Sequence, residues 1–212
     1  MKQEVKAQNT RKKIMHAALH EFASLGYHGA SINSICKEGG VAKGNLYHQF
    51  SSKEELYLAC VDAMFQELTA YLRSGLPSSP VTLDSYFHIR SEFFRMHPDM
   101  RDLFCEAVIY PPHDLEEAIA VRRESFAALN REVLKEILKD EKLHSDLSRV
   151  QISEAFSLLQ NLLNAGFRNA SHEDRPDLWE THEKACRTAI SIFLYGILRR
   201  PAEKTQVLDN EH

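Results

Sequence analysis

The sequence predicts an all-α protein, and three observations carry that prediction. Apolar and polar residues nowhere alternate for long, and β-branched residues are sparse, so strand signals are absent. Five of the eight glycines fall between residues 26 and 44, and no proline precedes Pro77. The prolines that follow, at 77, 80, 98, 111, 112, 176 and 201, separate segments of helical periodicity. That pattern places helices over residues 10–25, 32–38, 43–49, 53–74, 83–97, 99–110, 114–139, 148–170 and 177–199. Three short helices form a head over 1–52, six longer ones a body over 53–200, and 201–212 a polar tail.

Composition narrows the class. With 212 residues, 43% hydrophobic and 26% charged, the chain is ordinary globular protein and not a disordered one. No apolar run approaches the roughly 18–20 residues that span a bilayer. The opening MKQEVKAQNTRKK has no apolar stretch behind its charges, which argues against a secretory signal and for a cytoplasmic protein. Cys36, Cys60, Cys105 and Cys186 lie far apart with no Cys-x-x-Cys, so they read as small buried residues of a reducing compartment. The net charge is −4, yet residues 1–53 hold eight Lys/Arg against three Asp/Glu, leaving the remainder at −9. A basic tip on an acidic body suffices for phosphate binding, because screening limits each charge to about 8 Å at physiological salt.

The first helix is amphipathic, with Ile14, Ala17, Ala18, Phe22 and Leu25 on one face and Arg11, Lys12 and Lys13 at its start. Gly26 supplies a left-handed end. Ser31 stands where an N-cap hydroxyl is wanted, and Ile32, Ile35 and Cys36 give the second helix its apolar side. Gly39 and Gly40 reverse the chain, and Val41 pins the turn. The third helix buries Leu46 and Phe50, which leaves Lys43, Asn45, Tyr47, His48 and Gln49 outward. Two short helices joined by a glycine turn, the second polar on its outer side, make a helix-turn-helix.

The stretch GYHGASINSICKEGGVAKGNLYHQFSSKEEL, residues 26–56, closely resembles the N-terminal DNA-binding domain of TetR/AcrR-type transcriptional regulators. The resemblance rests on the Gly-Val before the third helix, the Lys-Gly-x-Leu-Tyr-x-x-Phe within it, and the Ser-Lys-Glu-Glu-Leu that opens the fourth. It covers about the first 60 residues; beyond them only the layout of six further helices is similar. Ala42 replaces the Ser or Thr that often caps the third helix, Asn45 a commoner Thr or Ser, and Cys36 the usual Ala. The resemblance implies a ligand-responsive regulator, in most members a repressor, that binds double-stranded DNA at a palindromic operator. Lys43 and Lys53, at helix starts, suit phosphates, as do the hydroxyls of Ser31 and Tyr47. Gly44 lets the recognition helix approach the groove, and Asn45, His48 and Gln49 face base edges.

The last two helices are apolar around most of their circumference, so each must bury two faces. One belongs to the chain's own core; the other meets a second copy in a two-fold four-helix interface. Phe156, Leu159, Leu163 and Phe167 of the eighth helix are the expected dimer contacts. Trp179, Ile190, Phe193 and Ile197 of the ninth join them. A homodimer also supplies the second recognition helix that a palindrome requires.

The middle helices are aromatic, and polar residues interrupt their apolar faces. Polar groups in an apolar bundle either pair or line a cavity. Phe65, Phe87, Arg90, Phe94, Phe104 and Glu106 are expected around a small-molecule effector, with Arg90 favouring an anionic or carbonyl-bearing one. Tyr110, Phe126, Leu158, Asn161 and Leu162 complete that set. A structural Arg90–Glu106 pair is the competing expectation. Effector binding then swings the fourth helix and moves the recognition helices out of register with the grooves.

No nucleophile elbow, dinucleotide fingerprint, phosphate loop or His-Glu-x-x-His occurs, so neither an enzyme nor a cofactor is expected. His16 and His20 have metal-compatible spacing but no third ligand, and no metal is expected. The alternative is a protein of the same fold that acts through protein partners or small-molecule chemistry without binding DNA.

Overall fold

The structure is a computed structural model that describes residues 2–143, 146–168 and 178–197. These residues form α-helices and one 3-10 turn, with no strand among them. The helices are α1 (Lys2–Gly29), α2 (Ile32–Glu38), α3 (Lys43–Gln49), α4 (Lys53–Gly75), α5 (Leu83–Met96) and α6 (Pro98–Ile109). After the turn His113–Leu115 come α7 (Glu116–Ile137), α8 (Arg149–Arg168) and α9 (Leu178–Ile197).

Helix starts follow local capping chemistry. The Ser31, Ser52 and Thr82 hydroxyls accept the amides of Asn33, Glu55 and Ser85, satisfying donors that the first turn leaves free. Ser148 and Gln151 do the same reciprocally before α8. Among the described residues four starts differ from the sequence expectation: α8 begins one residue late, and α7, expected from residue 114, begins at Glu116 after the 3-10 turn. α1 begins at Lys2, and Thr10 lies inside it with its hydroxyl bonded back to the Lys6 carbonyl at 2.9 Å instead of capping a helix start. α6 begins at Pro98, a residue that needs no amide partner in a first turn. The expected helical residues 169–170, 177 and 198–199, and the tail 201–212, lie outside the described residues.

In the head, Ile14, Ala18, Phe22, Ile35, Leu46 and Phe50 pack α1 to α3 around one apolar centre. α4 is the axis of the rest: Leu56, Val61, Met64, Phe65, Leu68 and Leu72 are fully buried along it against α1 and α5–α7. Phe65 stacks on Phe126 at 5.9 Å, and Phe94 meets Trp179 edge-on at 4.5 Å. Cys36, Cys60, Cys105 and Cys186 are all buried and free, as expected of them. Burial pushes the Cys60 and Cys105 thiols up to about 12, so both stay protonated.

Head and body meet at Gly26. Its φ of 67° and ψ of 174° fall in a region open essentially to glycine alone, and they break α1 there. The break brings the Tyr27 amide to Glu106 of α6, whose Oε1 accepts from it at 2.6 Å. Oε2 accepts from the Tyr57 hydroxyl of α4 at 3.1 Å. One carboxylate thus ties three helices. Nearby, His20 of α1 sits 3.2 Å from Asp99 of α6, a contact that holds the imidazole above its usual pKa.

A Cβ at residue 26 would lie 2.8 Å from Glu106 Oε1, in addition to the backbone strain. Gly26→Ala is expected to lower stability by about 1–3 kcal/mol. Urea denaturation checks this, and an unchanged midpoint would contradict it.

Candidate functional site

The outer side of α3 is a compact polar surface. Lys43, Gly44, Asn45, Tyr47 and His48 are exposed, while Leu46 between them is fully buried and anchors the helix. Lys43 Nζ lies 6.0 Å from the centre of the Tyr47 ring. A Cβ on Gly44 would meet nothing within 4 Å, so the isolated chain has no steric need for glycine there. Gln49 is half-buried, and its carbonyl accepts from Arg11. Arg11 also lies over the Phe50 ring at 4.2 Å, which sets its guanidinium beside the end of α3. Lys12, Lys13 and Lys37 are exposed on the same head. Ser31 caps α2 through its oxygen and keeps its O–H hydrogen for another acceptor.

Lys53 is placed differently from the sequence expectation. Its ammonium donates to the carbonyls of Tyr27 at 2.8 Å and Ala30 at 3.2 Å, and lies 4.7 Å from the Tyr27 ring centre. Those carbonyls end the α1 segment and need donors. Lys53 therefore closes the head onto α4 and is not a free surface cation.

A cavity of about 180 Å³ opens among α5 to α9. Arg90, Phe104, Phe126 and Asn161, all predicted, line it. Asn130, Asn164, His182 and Cys186 also line it, and sequence reasoning missed them. Asn130 is buried and accepts the Tyr86 hydroxyl at 2.6 Å. His182 is buried, with Nε2 3.0 Å from Asn164 Oδ1. Burial first, and the Arg90 charge second, push His182 down to about 4, so it is neutral at pH 7. Asn161 accepts from Arg123 at 3.0 Å at the exposed edge.

Arg90 is 5% exposed, with its Cζ 5.2–5.7 Å from the ring centres of Phe87, Phe104 and Trp179. Its counter-charge is Glu183 of α9, 3.1 Å away but outside hydrogen-bond geometry. Burial opposes the guanidinium charge most strongly, yet Glu183, Tyr86 and Cys186 together outweigh it and the Arg90 pKa rises. Burial raises the Glu183 carboxyl, with Arg90 pulling the other way.

Several expectations are corrected here. Arg90 pairs with Glu183, and Glu106 does not pair with Arg90; with Tyr110 it lines not this cavity but a separate open pocket of about 520 Å³ between α1, α6 and the start of α9. Two residues along α6 from Phe104, Glu106 points about half a turn away, toward α1 and α4. Burial raises its carboxyl, against the Tyr27 amide and Tyr57 hydroxyl that lower it. Phe65, Phe87 and Phe94 are buried core outside the cavity wall, and Tyr110 donates to the Phe167 carbonyl at 2.8 Å. Leu158 and Leu162 face outward, each 60% exposed. Conversely Phe156, Ile190 and Ile197, expected between subunits, are buried inside their own chain. Leu159, Leu163, Trp179 and Phe193 pack half-buried against that core, and Phe167 stacks edge-on with His182. The outward apolar face of α8 and α9 is instead Leu158, Leu162, Ile192 and Tyr195. A helix apolar almost all round does not announce which face turns inward.

Among the described residues no group of three or more His, Cys, Asp or Glu is placed to hold a metal, and no helix is long and apolar enough to cross a membrane.

Comparison with known proteins addresses this head first. The family described as bacterial regulatory proteins, tetR family, matches residues 14–60. The HTH-type transcriptional regulator RutR of Escherichia coli K12 is 33% identical over 99 residues, 45% of this chain and 46% of RutR. The chain thus matches less than half the length of that curated relative. A tetR-family transcription regulator from Shewanella sp. PV-4 superposes with a TM-score of 0.61 at 20% identity, covering 90% of this chain and 99% of that one. FadR of Bacillus subtilis, solved with stearoyl-CoA, gives 0.63 at 14% identity, covering 88% and 98%. At those identities the likeness is one of fold.

Two outcomes follow from the buried charges. Arg90→Met strands Glu183 without a counter-charge and is expected to cost about 3–5 kcal/mol, most of it recovered in Arg90→Met/Glu183→Leu. Urea denaturation of both variants checks the pair. His182 has a folded pKa below its ordinary 6.5, so its contribution to stability is complete above pH 6.5 and lost as the pH falls through about 4. The loss is at most about 3 kcal/mol. In His182→Asn that part of the acid slope should vanish, and an acid profile identical to the parent chain would refute the assignment.

Proposed function

We propose that the chain, whose residues 14–60 match the tetR family of bacterial regulatory proteins, is a member of that family and a cytoplasmic, ligand-responsive transcriptional repressor. It acts as a homodimer on a palindromic operator and is released by a small-molecule effector. The observation that carries this reading is the exposed set Lys43, Asn45, Tyr47 and His48 around the buried anchor Leu46. Lys43 and the Tyr47 hydroxyl engage phosphates, which positions the helix, while Asn45 and His48 face base edges. Ser31 and Gln49 flank them, Gly44 permits close approach, and Lys53 holds the head in place for binding.

The second copy packs on Leu158 and Leu162 of α8 and on Ile192 and Tyr195 of α9. Exposed side chains of this size on adjacent helices form an apolar face that water disfavours. Pairing two copies there sets two recognition helices on one side of a duplex.

Release works through α6. Phe104 and Val108 on one side of this helix line the cavity, and Glu106 on the other grips the head at Tyr27 and α4 at Tyr57. An effector with higher affinity for a shifted α6 therefore changes the head's seat and the direction of α4 together. The sequence expectation of a swinging α4 gains here a residue that moves it.

The reading is tested by gel shift on the chain's own upstream DNA across a salt series. Affinity should fall steeply with salt. Lys43→Ala should weaken binding and reduce the salt slope by about one, with an unchanged melting temperature. Tyr47→Ala should weaken it as well. A salt-independent or absent shift would overturn the reading. Leu162→Glu/Ile192→Glu should yield a monomer in size-exclusion chromatography with lowered operator affinity, and a dimer surviving that change would displace the interface.

A further inference from the structure

We propose that the cavity accepts a small monoanionic organic acid, about one ring in size with a single carboxylate, and excludes long acyl chains; this rests on reading the cavity as the effector site. Size is the first argument. The cavity measures about 180 Å³, whereas pockets for drug-sized ligands run to roughly 300–1,000 Å³. A cavity of about 150 Å³ holds benzene, so one ring and a small substituent fit here.

The walls are mixed. Phe104, Val108, Phe126 and Ile190 offer apolar surface, and Arg90, Asn130, Asn164 and His182 polar groups, with Arg90 packed against the Phe104 ring. Charge then selects the polar part of the ligand. Among the described residues, Arg90, Arg123 and Arg131 line the cavity together with the carboxylate of Glu124. Arg131 is bound to Glu124 at 2.6 Å and Arg123 to Asn161 at 3.0 Å, and of the three Arg90 alone is buried.

Arg90 is buried and its Nε–H has no hydrogen-bond partner. A buried donor without a partner is costly, and a carboxylate oxygen is the acceptor that a guanidinium edge fits best. Glu183 offsets the charge without lining the cavity, and its contact lacks hydrogen-bond geometry. The rings of Phe87, Phe104 and Trp179 surround the guanidinium and fix its plane. His182 is neutral at pH 7 and adds a dipole but no second charge. Arg90 offers a single unpartnered N–H, which matches one carboxylate and not a dianion such as a phosphate monoester.

Trp179, the chain's single tryptophan, has its ring centre 5.2 Å from the Arg90 guanidinium and reports on it by fluorescence. The full-length protein is titrated at pH 7 with benzoate, phenylacetate and nicotinate, with benzamide as the uncharged match, and with palmitoyl-CoA. At least one acid should give a saturable change, benzoate should bind at least tenfold tighter than benzamide, and palmitoyl-CoA should not compete. Arg90→Lys keeps a cation but loses the planar edge, and should weaken the acid about tenfold; its unchanged binding would move the ligand elsewhere. No saturable response to any acid, equal binding of amide and acid, or displacement by palmitoyl-CoA would overturn the proposal. Gel shifts on the same preparation separate the two readings. Operator binding without acid binding removes this inference alone, and acid binding without operator binding removes the regulator reading alone.

Discussion

A single carboxylate holds the two parts of this molecule in register. Glu106 takes the Tyr27 amide with one oxygen and the Tyr57 hydroxyl with the other, so α6, α4 and the start of the head share one fixed point. That point exists only because residue 26 is a glycine, whose backbone turns where no side chain can follow. Lys53 secures the same junction from below by donating to the Tyr27 and Ala30 carbonyls. Head orientation is thus set by a few charge-assisted hydrogen bonds added to the apolar packing of α1 on α4 and α6, where Phe22 meets Tyr57 edge-on at 5.1 Å. Bonds of that kind are strong when aligned and weaken steeply with small displacements. Such a junction is well suited to being switched.

In the proposed release the two sides of α6 have separate tasks. Phe104 and Val108 face the cavity while Glu106 faces the junction, so any molecule that displaces one side displaces the other. Arg90 and Glu183 lock α5 to α9 around the same cavity. The aromatic packing of Phe65, Phe104 and Phe126 keeps the surroundings of the cavity stiff. A stiff core transmits a shift where a loose one would absorb it.

The head was legible in the sequence because its determinants are local. The Ser31 cap, the glycine turn before Val41 and the spacing of Leu46 and Phe50 each act within a few residues, and each appears in the structure where the pattern placed it. Lys53 was misread because its partners are carbonyls more than twenty residues earlier, and no pattern records such a contact. The same holds in the body. That Arg90 would be buried and lie near a cavity followed from a charge within an apolar row, but its partner Glu183 comes from a helix far along the chain. On α8 and α9 apolar residues occupy most positions, so periodicity could not tell Phe156, turned inward, from Leu158, turned outward. His182 and Asn130 gave no sequence signal beyond being single polar residues in helices, and only packing brings them together.

Amide hydrogen exchange on the full chain and on Glu106→Ala tests the junction most directly. The account predicts that the Tyr27 amide and the head amides behind it lose protection in the variant, while the buried stretch of α4 around Phe65 keeps its own. Uniform loss across both regions, or a Tyr27 amide as protected as before, would mean that Glu106 does not hold the head to the body.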